Sequence, residues 1–149
     1  MSEATKPAQG QGAALTVGEH DPELVKRLED GLDAFNAAAT GHAEEAEFSV
    51  RVADADGELI GGLSARAWGG LCDIHLLWVR EDSRGQGWGA KLLRAAEEEG
   101  IRRGCDRAAV SSYTFQAPEF YQRQGYEEVG RLPGIPGGHE DVFLYKKLG

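Results

Sequence analysis

Glycines at positions 85, 87 and 89 fall inside Val79-Arg80-Glu81-Asp82-Ser83-Arg84-Gly85-Gln86-Gly87-Trp88-Gly89-Ala90, between an apolar run and a long helical pattern. Alternate residues without side chains let successive backbone N–H groups approach an anion, and a helix starting behind them adds its partial positive end. The combination suits a pyrophosphate; a glycine-rich turn that only closes a strand onto a helix is the other reading of the same residues. Two familiar phosphate patterns do not fit. The dinucleotide fingerprint needs G-x-G-x-x-G after the first strand of a parallel unit, and the spacing here is G-x-G-x-G. The nucleotide-phosphate loop needs Lys-Ser/Thr after its last glycine, and Gly89 is followed by Ala90-Lys91-Leu92.

The elements that must hold this loop can be read from periodicity. Asp21-Pro22-Glu23 is a helix start, and Leu24, Val25, Leu28, Leu32 and Phe35 carry helical spacing over residues 22–39. Phe48, Val50 and Val52 alternate with polar residues as in a half-buried strand, Asp54-Ala55-Asp56-Gly57 turns the chain, and residues 58–68 return. Gly61-Gly62 in that return strand predicts a bulge or a close approach. Gly69-Gly70 turns into a third strand, 71–79, so the opening is an antiparallel meander. Leu92, Leu93, Ala96 and Ile101 predict a helix over 88–103. A strand over 107–112, a helix from Ala117-Pro118 to Gln124, and strands 126–131 and 141–147 complete the pattern. A meander followed by a strand–helix–strand crossover indicates an α/β fold with a sheet of mixed direction.

At 149 residues the chain suits one domain. Residues 1–13, nearly without large apolar side chains, are expected to be a disordered tail ahead of a single domain over 14–149. No apolar run nears the roughly 20 residues of a membrane span, and the opening lacks a secretory pattern, so a soluble cytoplasmic protein is expected. The net charge of −9, from 25 acidic and 16 basic residues, argues against nucleic acid and anionic membranes and favours a cationic partner. An anionic cofactor then needs local positive charge. Cys72 and Cys105 form no CxxC pair and read as reduced thiols, with no metal site expected.

Arg84-Gly85-Gln86-Gly87-Trp88-Gly89 resembles the Gln/Arg-x-x-Gly-x-Gly/Ala signature of the GNAT N-acetyltransferase superfamily. Downstream, Phe120-Tyr121-Gln122-Arg123-Gln124-Gly125-Tyr126 resembles that family's helix-to-strand junction, and Leu144-Tyr145-Lys146-Lys147-Leu148 its usual last strand. The resemblance implies the acyl-CoA N-acyltransferase fold: a mixed, mostly antiparallel central sheet with a splayed parallel strand pair, flanked by helices. It implies an enzyme that moves an acetyl group from acetyl-CoA to a primary amine, by direct transfer in a ternary complex and without metal. The amine belongs to a small molecule or a peptide; homodimers are common in the family.

Residue by residue, the resemblance places the pantetheine arm against the strand end Leu77-Trp78-Val79. The pyrophosphate falls on backbone N–H groups of Gly85, Gln86, Gly87, Trp88, Gly89 and Ala90, with Arg84 as the local positive charge; Arg80 and Lys91 lie close in sequence. Tyr121 matches the tyrosine that returns a proton to the departing thiolate, with Phe120, Phe115 and Gln116 nearby. Asp73 matches the position of a carboxylate base in histone-type members. His75 shares its face by alternation and has the more suitable ordinary pKa, so Asp73 and His75 are the base candidates, ahead of His139 and Glu119. Cys72, on the opposite pleat face from His75, is not expected to form an acyl-cysteine. A catalytically silent acyl-CoA-binding module and a transferase using another acyl-CoA remain the alternatives.

Overall fold

The computed structural model describes residues 6–7, 12–42 and 45–149, which group into two compact units, Met1–Ala43 and Glu44–Gly149. In the first, β1 (Lys6–Pro7) pairs antiparallel with β2 (Ala14–Leu15) and is followed by α1 (Pro22–Thr40). For residues 1–5 and 8–11 the expected disordered tail lies outside the described residues. The start of α1 is set as the sequence predicts: Asp21 Oδ1 accepts from the Leu24 N–H at 3.0 Å and Pro22 occupies the first turn. Gly41, left-handed, ends it by donating its N–H to Ala37 O at 2.9 Å.

The second unit contains β3 (Ala46–Ala53), β4 (Leu59–Trp68), β5 (Leu71–Val79), α2 (Trp88–Arg102) and β6 (Arg107–Tyr113). It continues with α3 (Pro118–Arg123), β7 (Glu127–Pro133) and β8 (Glu140–Lys147). The strands form one sheet in the order β3-β4-β5-β6-β8-β7, antiparallel throughout except for β5–β6. This is the mixed α/β sheet expected, with its single parallel pair created by the α2 crossover. One face carries the core: Leu92, Leu93 and Ala96 of α2 are buried with Leu63, Ala65, Cys72, Ile74, Val142 and Leu144 of the strands. Each fully buried leucine contributes about 1.5–3 kcal/mol. No helix among the described residues is long and apolar enough to cross a membrane.

Three local features shape what lies beside this core. At Gly61 a Cβ would stand 2.8 Å from the Trp78 carbonyl oxygen, so the predicted close approach is of the β5 backbone, next to a bulge between Val52 and Ala53 on the partner strand. Across the β4–β5 pair, Ser64 faces Leu76 while Ala65 faces Ile74, which leaves His75 of β5 as the extra residue of a bulge. Finally, β5 and β6 pair only through Leu71/Arg107, Cys72/Ala108 and Asp73/Ala109; beyond these residues both strands continue unpaired to each other, which is the splay.

Candidate active site

The splay opens a cavity of about 660 Å³. Its walls are Leu77 and Val79 of β5, residues 110–112 of β6, the loop into α2, and Phe120 and Tyr121 of α3. The β5 bulge is what turns Leu77 and Val79 inward. Strict alternation from Cys72 and Ile74 would bury Leu76 and Trp78, and these are instead 70% and 49% exposed. Trp78 and Gln86 do not line the cavity, while Leu76, Arg84, Gly85, Gly87, Trp88, Gly89 and Ala90 do.

The three loop glycines serve different purposes. Gly85 and Gly87 have φ of +79° and +83°, a conformation that costs other residues roughly 1–2 kcal/mol. Gly89 is helical, but a Cβ there would sit 3.2 Å from Phe120 Cζ, so its lack of a side chain lets α3 pack against the loop. The first bond of α2 runs from Lys91 N to Gly87 O at 3.1 Å, and the backbone N–H groups of residues 85–90 have no partner among the described residues. Arg84 Nε donates to Val79 O at 3.0 Å, which holds its guanidinium between strand end and loop, and it makes no ion pair among the described residues. Arg80, by contrast, is committed to Asp82 at 2.6 Å and Asp54 at 3.7 Å, and the bond to Arg80 holds the Asp82 carboxyl below its ordinary range. Lys91 lies over the Trp88 ring, 4.6 Å from its centroid. Of these three, Arg84 lines the cavity, as does Arg123 of α3.

Tyr121 is 8% exposed and reaches the cavity wall, edge-on to Phe120 at 5.0 Å and to Tyr126 at 5.9 Å. Burial pushes its hydroxyl pKa up, so it stays a neutral donor through neutral and mildly alkaline pH. The other predicted site residues separate. Gln116 lines the cavity and braces the loop before α3, its Oε1 accepting from Tyr113 N at 2.8 Å. Glu119 is exposed on α3, and His139 is exposed with Nδ1 3.2 Å from Thr114 Oγ1 and its ring edge-on to Phe115. Neither lines this cavity. Cys72 is fully buried, its thiol pushed up to about 11 by burial, which removes it as a nucleophile.

Asp73 and His75 lie together, Oδ2 to Nε2 at 3.6 Å, and both border a second cavity of about 360 Å³. Ile74, His75, Val110 and Ser111 line both cavities, so the unpaired stretch between β5 and β6 is a window in the sheet with His75 at its rim.

The sequence pattern of the acetyltransferase (GNAT) family matches residues 13–126. The chain belongs to the GNAT acetyltransferase family. An acetyltransferase of Agrobacterium fabrum strain C58 is 33% identical to this GNAT chain over 128 residues, 86% of this chain and 93% of that protein. A blasticidin-S acetyltransferase of Streptomyces morookaense is 39% identical over 93 residues, covering 62% of this chain and 68% of that protein. Among solved structures, an acetyltransferase from Bacillus cereus superposes with a TM-score of 0.79 at 28% identity, over 89% of this chain and 96% of the other.

This GNAT site also holds residues that sequence reasoning missed. Ser83 is buried at the loop and Ser112 on β6, where Ser112 Oγ accepts from Ala117 N at 3.2 Å and ties β6 to the start of α3. Behind Tyr121, the Tyr126 hydroxyl donates to Glu97 Oε2 at 2.8 Å, and Lys146 Nζ reaches Glu97 Oε1 at 3.1 Å. Burial, with Glu97 beside it, raises the Tyr126 pKa far above its ordinary value. The signal for Glu97 was available: it stands four residues after Leu93 on the apolar stripe of α2.

Proposed function

We propose that this GNAT chain transfers the acetyl group of acetyl-CoA to a primary amine by direct attack in a ternary complex. The observation that carries the reading is the run of unpartnered N–H groups at residues 85–90, beside unpaired Arg84, at one end of a cavity walled by Tyr121. These groups fit a pyrophosphate by charge and by the absence of side chains. Leu77, Val79 and Phe120 offer apolar surface to the arm that follows. A solved aminoglycoside 6'-N-acetyltransferase holding coenzyme A shares the fold, with a TM-score of 0.62 at 21% identity.

In this reading His75, with Asp73 at 3.6 Å, takes one proton from the incoming ammonium and leaves a neutral amine. The nitrogen lone pair forms the C–N bond to the thioester carbonyl carbon while the C–S bond breaks and its electrons leave on sulfur. The Tyr121 hydroxyl gives its proton to that sulfur, and the second amine proton restores Tyr121 through water. The products are an amide and a free thiol. Calorimetry with CoA and thiol release from acetyl-CoA across a panel of amines test the reading. CoA binding with amine-dependent thiol release is expected; binding without release on every amine would leave a silent acyl-CoA module.

A further inference from the structure

The far side of the window has a chemistry that names a class of acceptor; the argument rests on the acetyl-transfer reading above. The second cavity is walled by the Asp73 carboxylate and His75 at the window, and by Phe143 and Tyr145 from alternate positions of β8. Val129, the residue left over by a bulge in β7 between Glu128 and Gly130, closes the other wall. Phe143 is 40% exposed and Val129 63%, large apolar groups open on a sheet face. Among the described residues, no lysine or arginine lines the cavity. Its volume, about 360 Å³, lies at the small end of the roughly 300–1,000 Å³ typical of small-molecule sites.

A carboxylate at the window attracts an ammonium group, and aromatic faces behind it favour a flat apolar body by stacking or by cation–π contact. We infer that the acceptor is a small cationic primary amine carried on a flat, aromatic or similarly apolar body. The body lies against Phe143 and Tyr145, the ammonium is drawn toward Asp73, and the nitrogen enters the acetyl-transfer site through the gap beside His75. Phe143 is then a specificity-determining residue that makes no contact with acetyl-CoA.

The test compares amines of equal charge: phenethylamine and tryptamine against butylamine, with putrescine and a lysine peptide as further arms. Thiol release from acetyl-CoA is followed for each. The two arylalkylamines are expected to exceed butylamine at least tenfold in kcat/KM. Phe143→Ala should remove most of that preference by raising the arylalkylamine KM about tenfold, a loss of the size expected for one aromatic contact. Phe143→Leu keeps apolar volume without the ring and should show the same loss, which guards against a folding defect in the alanine variant. Equal use of butylamine and the arylalkylamines, an unchanged preference in both variants, a preference for putrescine or the peptide, or no turnover of any amine while CoA still binds would each overturn the inference. Failure of CoA itself to bind would instead remove the acetyl-transfer reading on which it stands.

Discussion

Lys146→Met should destabilise the protein through a carboxylate it never touches in sequence. Glu97 has a side chain only 11% exposed and accepts from two groups, Tyr126 at 2.8 Å and Lys146 at 3.1 Å. Methionine keeps the apolar stem but removes the counter-charge, so the carboxylate retains a single hydroxyl donor. Breaking a fully buried pair costs about 3–5 kcal/mol and an exposed one about 0–1. With Lys146 itself 29% exposed, solvent screens part of the pair, and an intermediate loss of about 2 kcal/mol follows. For a domain of this size that lowers Tm by roughly 6–10 °C. Adding Glu97→Gln removes the orphaned charge yet leaves an acceptor for Tyr126, so the double variant should regain more than half of the loss. Thermal and urea denaturation of the parent, Lys146→Met and the double variant measure both steps. A Tm for Lys146→Met within about 2 °C of the parent, or a double variant no more stable than the single, would refute the claim that an uncompensated Glu97 charge is the cost.

Three other perturbations address the site and its support. Gly87→Glu places a side chain at φ +83° and a negative charge among the unpartnered N–H groups; CoA binding by calorimetry should be lost while circular dichroism stays that of the parent, and normal affinity would overturn the loop assignment. Tyr121→Phe keeps the ring packed on Phe120 and Tyr126 and removes only the hydroxyl; kcat should fall about 10²-fold or more with CoA affinity little changed, and equal turnover would take Tyr121 out of the acid role. Burial raises the Cys72 thiol to about 11 in the folded protein from an ordinary value of 9.0. The folded state is therefore favoured fully below that lower value, and stability falls as pH rises toward 11, by roughly 2–3 kcal/mol in total. Urea midpoints at pH 8, 9 and 10 should decline more steeply for the parent than for Cys72→Ala; parallel declines would show that another group is responsible.

Much of this fold was readable because its signals are local. Asp21 and Pro22 begin a helix by groups within one turn of each other, and Gly69-Gly70 turns a hairpin by its own backbone freedom, with φ of +60° and +87°. The glycine-rich turn between β5 and α2 was readable for the same reason. Its glycines, its flanking strand and its helix are contiguous, so spacing located the turn, while the resemblance to the family signature is what implied its ligand. Glu97, Tyr126 and Lys146 come from α2, the turn just before β7, and β8, and their meeting depends on how those elements pack. Helical spacing places Glu97 on the buried face but says nothing about which donors await it there.

The division of labour at the window was hidden for a more specific reason. Period-two counting along β5 assumes an unbroken pleat, and a bulge has no compositional mark in Cys72-Asp73-Ile74-His75-Leu76-Leu77-Trp78-Val79. Counting correctly sets Asp73 opposite in face to Cys72 and Ile74, but carried past His75 it would put Leu77 and Val79 on the Asp73 side. The extra residue reverses the parity, so Leu77 and Val79 return to the face of the larger cavity while Asp73 stays on the smaller one. His75 is the residue at which the strand changes sides, and it is also one of those that line both cavities. A strand without that bulge would present its carboxylate and its apolar wall to the same ligand. With it, one strand turns its apolar residues Leu77 and Val79 to the larger cavity and its Asp73 carboxylate to the smaller one.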